Sequence, residues 1–524
     1  MANDKISQLP LATSPLDSAV EMPVVQGGVT KRAGMTTIGF LQSGTGATLR
    51  TAQNKMRDTV SVKDFGAVGD GTTNDRAAIQ AAIDAVGAAG GGQVYIPAGQ
   101  YRLVGALNVP WEGVQIVGAA RRGTMLLQAT ASSATFNITG SSTTVQALGI
   151  RYVTQGTSGG NAIRVGVGFY NYFSDLYVDQ ADIALLMDSG ANGVILEQFF
   201  FEDSTTSGIR VFNAANMLVT DGSILNGNTT TFCTAGAISL LDFVEGCNFV
   251  SVSIYQGVRP LFTFASVYAQ GSRPAYNKFH GCYFDAGAGP AIVADCVEID
   301  FTDCWFSNGR GAAGAGVELG LCDGIRFTGG QAINCGGHGA VIGASAKRVV
   351  FNGFAARGNS VDAANTYDGI TVAANATDFV IEGCTATNDV VVWGTQRYGV
   401  NVAAGTSDRY IITGNLLTGN GTGGVNDGGS GTTKYISYNT GYRTSNSGAA
   451  QIAIGASNVT INHGLAATPA QTDIQTVPTV DINAGGVARW WVDNVGSTTF
   501  RINVNTAVVG ADLFFAWSAR TKGA

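Results

Sequence analysis

The sequence predicts an all-β chain wound as a solenoid of parallel strands, and three observations predict it. Glycine supplies 73 of 524 residues, about twice its usual share of about 7%. Charged residues make up only 13% and hydrophobic ones 45%, which excludes a disordered chain and a coiled coil. A five-residue unit recurs through the middle of the chain: apolar, polar, small or acidic, mostly apolar, then often aromatic. Units this short, each bending at a small residue, bury a face only when strands stack as parallel coils about 4.8 Å apart.

Three zones follow in order. Residues 1–56 are short apolar pieces broken by Pro10, Pro15, Pro23 and Gly27-Gly28, the texture of an extended arm or a very small β module. Residues 57–445 carry the repeat. After a Gly/Ser/Asn-rich stretch at 419–431 and a loop at 443–449, residues 446–524 form a separate β domain. There 488–493, 499–505 and 513–519 read as strands at the spacing of a β-sandwich.

An open solenoid end exposes unpaired strand edges, so the first coil needs a cap. Thr72-x-x-Asp75 has capping-box spacing, and Ile79, Ala82, Ile83 and Val86 make an apolar stripe at i, i+3, i+4, i+7. A helix over 72–89, stopped by Gly90-Gly91-Gly92, is expected to cover the N-terminal mouth. A strand follows at 93–97.

The repeat units begin at Phe173, Leu196, Val219, Val244, Phe279, Phe301, Phe327, Phe351, Ile381 and Ile412. Their third residues are anchors where the strand bends: Asp175, Gln198, Asp221, Gly246, Gly281, Asp303, Gly329, Gly353, Gly383 and Gly414. Weaker copies stand near Gly118, Leu148 and Asn439, and a solenoid of about 12 coils is expected. Cys247, Cys282, Cys304 and Cys384 each follow an anchor, which reads as an inward ladder of thiols acting as small hydrophobes.

A net charge of −7 and a pI near 5.0 argue against a nucleic-acid partner. Residues 1–30 lack an apolar h-region, and no apolar run reaches about 18 residues. Synthesis in a cytoplasm without membrane insertion is therefore expected. The eight cysteines carry no C-x-x-C, and the three histidines lie far apart, so neither a metal nor another cofactor is expected. Gly309-x-Gly311-x-x-Gly314 and Gly156-Thr-Ser158-Gly-Gly160 imitate nucleotide and nucleophile motifs but fall in loops outside the strand–turn–helix context that those motifs need.

Val62-Lys-Asp-Phe-Gly-Ala-Val-Gly-Asp-Gly71, Thr73-Asn-Asp75, Ala78-Ile-Gln-Ala-Ala-Ile83 and Gly91-Gly-Gln-Val-Tyr-Ile-Pro-Ala-Gly99 resemble the opening of pectate-lyase-superfamily right-handed parallel β-helix proteins. Lys5-Ile-Ser-Gln-Leu-Pro10 through Val24-Val-Gln-Gly-Gly28 is similar to the virion-anchoring segments of bacteriophage tailspikes and tail fibres. The last zone resembles the small β domains that end many such proteins. These resemblances imply a tailspike in the virion, a homotrimer held to a tail or baseplate protein through residues 1–56. Its β-helix is then expected to bind, and usually to cleave, a bacterial surface polysaccharide. The apolar aromatics Trp490, Trp491, Phe500, Phe514, Phe515 and Trp517 suit burial between chains.

Glycosidic hydrolysis needs two carboxylates about 5 to 10 Å apart, a spacing that neighbouring or alternate coils supply. The position before each anchor is expected to face outward. It places Glu197 and Glu245 two coils apart on one face, with His280 beside the Glu245 rung. Four places after an anchor stand Asp179, Glu202 and Asp285, with Asp203 next to Glu202. The candidate catalytic residues are thus Glu197, Glu202, Asp203, Glu245 and Asp285. Two places after an anchor stand Tyr177, Phe200, Tyr283 and Trp305, expected outward as sugar-stacking rings. The outward ladder before the anchors holds no Lys or Arg and no calcium spacing, which favours hydrolysis over elimination. The alternative is a non-enzymatic adhesive or structural spike on the same helix.

Overall fold

The computed structural model describes residues 22–33, 38–227, 231–266, 271–285, 287–309, 314–388 and 394–521. Residues 5–10 of the anchor-like segment lie outside them, as do 310–313 of the nucleotide-like motif. The chain forms a right-handed parallel β-helix of about 14 turns, two more than the repeat suggested. One parallel sheet has 22 strands and a second has 13. Each coil crosses the larger sheet twice and returns through the smaller one, as Lys278–His280, Tyr283–Asp285 and Ala291–Val293 do.

The bend within the larger sheet is a single left-handed residue. Ala147, Asp175, Gln198, Asp221, Ser251, Gly281, Asp303, Gly329, Gly353, Gly383, Gly414 and Tyr438 stand in register. All twelve have φ between 50° and 67°. That region penalises a Cβ and favours Gly, then Asp and Asn, which is why the expected anchors are mostly glycine and aspartate. Nine of the ten expected anchors occupy this column.

Gly246 does not. Its coil bends at Ser251, while Gly246 (φ 68°) belongs to a second left-handed corner with Asn216, Tyr276 and Glu298. Cys282, Cys304 and Cys384 therefore share an inward column, and Cys247 lies in another. All eight thiols are free and buried. Phe249, Phe279, Phe301, Phe327 and Phe351, two places before the first corner, stack inside with ring centroids 4.4–5.0 Å apart.

The cap is a helix at Arg76–Ala88, with Ile79, Ala82, Ile83 and Val86 facing the core. The expected capping box at Thr72 does not form, because Thr72 lies in the strand Asp70–Asn74 and Asp75 makes no side-chain cap. The Asp75 carboxylate instead accepts from Val68 N (2.6 Å) and Gly69 N (3.0 Å). A capping box does form at Ser61 and Asp64, at the start of the short helix Val62–Phe65. The 13-stranded sheet ends at Leu107–Val109. Its open edge is met by Gln80, whose amide donates to Asn108 O (2.9 Å) and accepts from Asn108 N (2.8 Å). One side chain thus stands in for a missing strand.

Beyond the helix, Ser445–Ile452, Ile474–Pro478 and Leu513–Arg520 form one antiparallel sheet, and Asn458–Asn462, Trp490–Asp493 and Thr499–Val504 another. Phe500, Leu513, Phe515 and Trp517 fill the core between them, while Trp491 and Phe514 stay exposed. The loop expected at 443–449 is instead the start of a strand. Gly448 in it packs against the Trp517 indole, 3.0 Å from where a Cβ would stand.

Candidate functional site

The true register redistributes the candidate residues. Glu197 is flanked by Ser174 and Thr220, and the next rung is Val250. Glu245 ends the strand Ile238–Glu245 of the smaller sheet, with Ala215 and Ala275 as its rung neighbours. The two glutamates therefore share no ladder, and His280 does not neighbour Glu245. Glu197 is half-buried and accepts a hydrogen bond from the Tyr172 hydroxyl, which raises the Tyr172 pKa.

Glu202 and Asp203 do come together, with Asp179. They line a groove of about 580 Å³ with Arg122, Arg151, Tyr177, Asn226 and Gln256. Asp179 and Glu202 are adjacent rungs, about 4.8 Å apart along the sheet. Their side chains leave the sheet on the same face, which is the arrangement that a pair of glycosidase carboxylates needs. Each carboxylate has a partner. Arg151 Nε donates to Asp179 Oδ2 at 2.7 Å, and the Tyr177 hydroxyl donates to Glu202. Gly227 N donates to Asp203 Oδ1 at 2.5 Å. Asp203 itself is left-handed, with φ 48°, which turns the chain out of the strand at the groove's edge.

Tyr177 was expected outward and exposed. It faces out of the sheet, but the Arg122 guanidinium lies 3.9 Å above its ring and leaves it 2% exposed. Burial first, and the Glu202 carboxylate next, push the Tyr177 hydroxyl up to about 12. The nearby Tyr177 and Asp179 oxygens raise the Arg151 pKa. Arg122 reaches Glu202 only at 3.8 Å and is 61% exposed, so its donors face the groove. Phe200 stacks on Tyr177 at 6.3 Å.

Arg122 reaches this position because the loop carrying it is pinned. Its neighbour Arg121 donates to Asp175 Oδ1 (2.7 Å) and to Gln198 O (2.8 Å), tying the turn down across later coils. Reading the sequence missed both groove arginines. Arg151 stands four places after Ala147, on the ladder of Asp179 and Glu202, and was hidden because that weak repeat copy was placed at Leu148. Arg122 sits in a turn with no periodic signal.

Asp285 is three rungs beyond Glu202, by way of Leu225 and Tyr255. It accepts from Ser307 Oγ (2.5 Å) and Asn308 Nδ2 (2.7 Å). Tyr283 and Trp305 lie on consecutive rungs nearby, with rings 5.5 Å apart.

Chemically, the groove offers two carboxylates on neighbouring rungs, a protonated phenol and one guanidinium with donors to spare. Such a set can protonate a leaving oxygen and stabilise the opposite face of a sugar. It can also neutralise a sugar acid. Among the described residues no helix is long and apolar enough to cross a membrane.

A family model described as Rhamnogalacturonase A/epimerase, pectate lyase-like, matches residues 59–146. Mannuronan C5-epimerase AlgE4 of Azotobacter vinelandii is 66% identical over 53 residues, which are 10% of this chain and 9% of that protein. Alginate lyase 7 of the same organism is 52% identical over 73 residues, 13% of this chain and 8% of that protein. The chain thus spans less than a tenth of the length of these curated relatives. Among solved structures, tailspike protein 3 of bacteriophage CBA120 superposes with TM-score 0.55 at 16% identity, over 79% of this chain and 70% of that one. The tailspike protein of E. coli bacteriophage HK620, solved in complex with a pentasaccharide, gives TM-score 0.51 at 12% identity, over 93% of this chain and 98% of that one. At such identities the likeness shows the fold: the β-helix of the pectate-lyase-like kind found in phage tailspikes.

Proposed function

We propose that this chain is a phage tailspike that binds a bacterial surface polysaccharide on its β-helix and cleaves it by glycosidic hydrolysis. The observation that carries the reading is the groove in which Asp179, Glu202 and Asp203 converge beside Tyr177 and Phe200. Glu202 is the acid or base of choice, since the groove's polar groups gather around it. Asp179, fixed by Arg151, supplies the second carboxylate. Glu197, Glu245 and Asp285 lie too far along or around the helix to act with them within one chain. The virion tail as location, a homotrimer, and attachment through residues 1–56 belong to the same proposal, supported by the tailspike fold and the anchor-like motif.

One observation favours the adhesive alternative: every carboxylate in the groove already has a hydrogen-bond or ion-pair partner. Incubation with capsular polysaccharides and lipopolysaccharides decides between them. New reducing ends on saturated oligosaccharides support hydrolysis. Products absorbing at 235 nm indicate elimination and turn attention to Arg122 and Tyr177. Binding with no product at any protein concentration indicates an adhesin.

A further inference from the structure

The cover over Tyr177 is made possible by a glycine. Tyr177 stands on an outward column that runs Met125, Gly149, Tyr177, Phe200. Gly149 leaves a gap in that column, and the gap is filled: a Cβ there would lie 2.4 Å from Met125 Sδ and 2.7 Å from Arg121 O. The turn 119–123 leans into this space and so reaches Tyr177, two rungs beyond the strand Thr124–Gln128 that follows it. Both ends of the turn are fixed. Ala119 N donates to Thr124 Oγ1 and Gly99 N to Gly123 O, each at 2.9 Å.

The two arginines of the turn are held very differently. Arg121 donates to Asp175 and to Gln198 O on later coils. Arg122 makes no hydrogen bond among the described residues. Its contacts are the Tyr177 ring at 3.9 Å and the Glu202 carboxylate at 3.8 Å. A guanidinium over an exposed ring is attracted weakly enough to be exchanged for another ligand. The ring face it occupies is the outward one, on which a pyranose would stack.

We propose that Arg122 is a gate on the Glu202 groove: its guanidinium occupies the Tyr177 ring in place of a sugar, and a saccharide enters by displacing it. Arg121 is the positioning residue of the gate. It holds the backbone of the turn, so that the Arg122 side chain swings out on a fixed pivot and returns when the saccharide leaves. The gate sets specificity, because a ligand gains Tyr177 only if its apolar ring face replaces the guanidinium there. The inference rests on the saccharide-binding reading above and adds what fills the site before the saccharide arrives.

The test uses the full chain and two readouts. The first needs no saccharide: hydroxyl-radical footprinting, read by mass spectrometry, reports the exposure of each ring. Arg122→Ala should raise the labelling of Tyr177 several-fold and leave that of the distant, exposed Tyr438 unchanged. Arg121→Ala should raise Tyr177 labelling too, and Arg121→Lys should return it toward the wild type. Circular dichroism and the melting point confirm that the variants fold. The second readout is the affinity for a panel of capsular and lipopolysaccharide oligosaccharides, by calorimetry. A covered site binds more weakly in proportion to the fraction open, so Arg122→Ala should tighten binding by roughly 2- to 30-fold. Unchanged Tyr177 labelling in Arg122→Ala overturns the gate. Weaker binding by Arg122→Ala also overturns it, by making Arg122 a saccharide ligand, and leaves the Glu202 reading standing. No binding of any oligosaccharide by either protein overturns the saccharide reading itself, and the gate with it.

Discussion

The Tyr177 hydroxyl donates to the Glu202 carboxylate across one rung of the helix, beneath the Arg122 guanidinium. With its pKa pushed up to about 12, Tyr177 keeps that proton through the physiological range, so Glu202 always has a donor beside it. Asp179, one rung away, is held by Arg151 instead. The two carboxylates thus have different partners, a phenol for Glu202 and a guanidinium for Asp179.

Glu202→Gln is therefore expected to lower the rate of reducing-end release by about 10²–10⁴-fold, the usual worth of a general acid or base. Glu245→Gln, on another sheet, should leave the rate within twofold of wild type, about the error of such assays. Equal losses in both variants would sink the assignment of the groove.

Gln80 closes the edge of the 13-stranded sheet with two hydrogen bonds to Asn108. Gln80→Ala strands both backbone groups, at about 1–3 kcal/mol if water cannot replace them. Hydrogen exchange should show lost protection at Leu107–Val109 and little change in the middle coils. Uniform protection would mean that the edge needs no such partner.

Gly383 is left-handed at φ 61°, and a Cβ there would meet nothing closer than Gly353 N at 3.8 Å. Gly383→Ala isolates backbone strain from crowding, and about 1–2 kcal/mol of destabilisation is expected from it. Gly383→Asn should cost clearly less. Equal melting points for the two variants would contradict the corner account.

Burial pushes the Cys233, Cys247, Cys296 and Cys384 thiols up to about 12. All eight cysteines are buried and free, so the native protein should react with no Ellman reagent within minutes at pH 8. All eight should react after unfolding in guanidinium. Rapid labelling of the native form would mean that the coils open readily.

His338 accepts a hydrogen bond at Nδ1 from Asp368 N (2.9 Å), which requires a neutral ring. The groups facing it are the buried Asp368 carboxylate, the Arg397 guanidinium bound to that carboxylate, and the Tyr367 ring. Burial lowers the His338 pKa below its ordinary 6.5, with Arg397 opposing protonation and Asp368 favouring it. Between the lowered and the ordinary value the unfolded chain binds the proton and the folded one does not. Stability is thus highest above pH 6.5 and falls as pH drops through that window. His338→Gln should flatten the melting point against pH just below 6.5. An unchanged slope would assign the loss to other groups.

Nine corners were legible in the sequence because a left-handed residue selects for glycine and aspartate. The tenth failed for the same reason. In the coil before Ser251 the second corner also uses a glycine, so Gly246 imitated an anchor, and Ser251 carries no signal of its own. That single slip moved Glu245 onto the wrong face and created a false carboxylate pair. Glu202, Asp203 and Tyr177 were found because they follow their anchors at fixed offsets. Arg122 was not, because a turn that leans across later coils leaves no trace in a periodic pattern.

The hydrogen bonds of both large sheets run along the molecule's long axis, from coil to coil. A pull on the two ends therefore loads the rungs in series, and separation should start where a rung has the fewest partners. At the N-terminal end that rung is the one met by a single glutamine. A sideways push meets a continuous column of stacked phenylalanines instead. The shaft is thus built to resist bending and to come apart, when it does, by peeling from its ends.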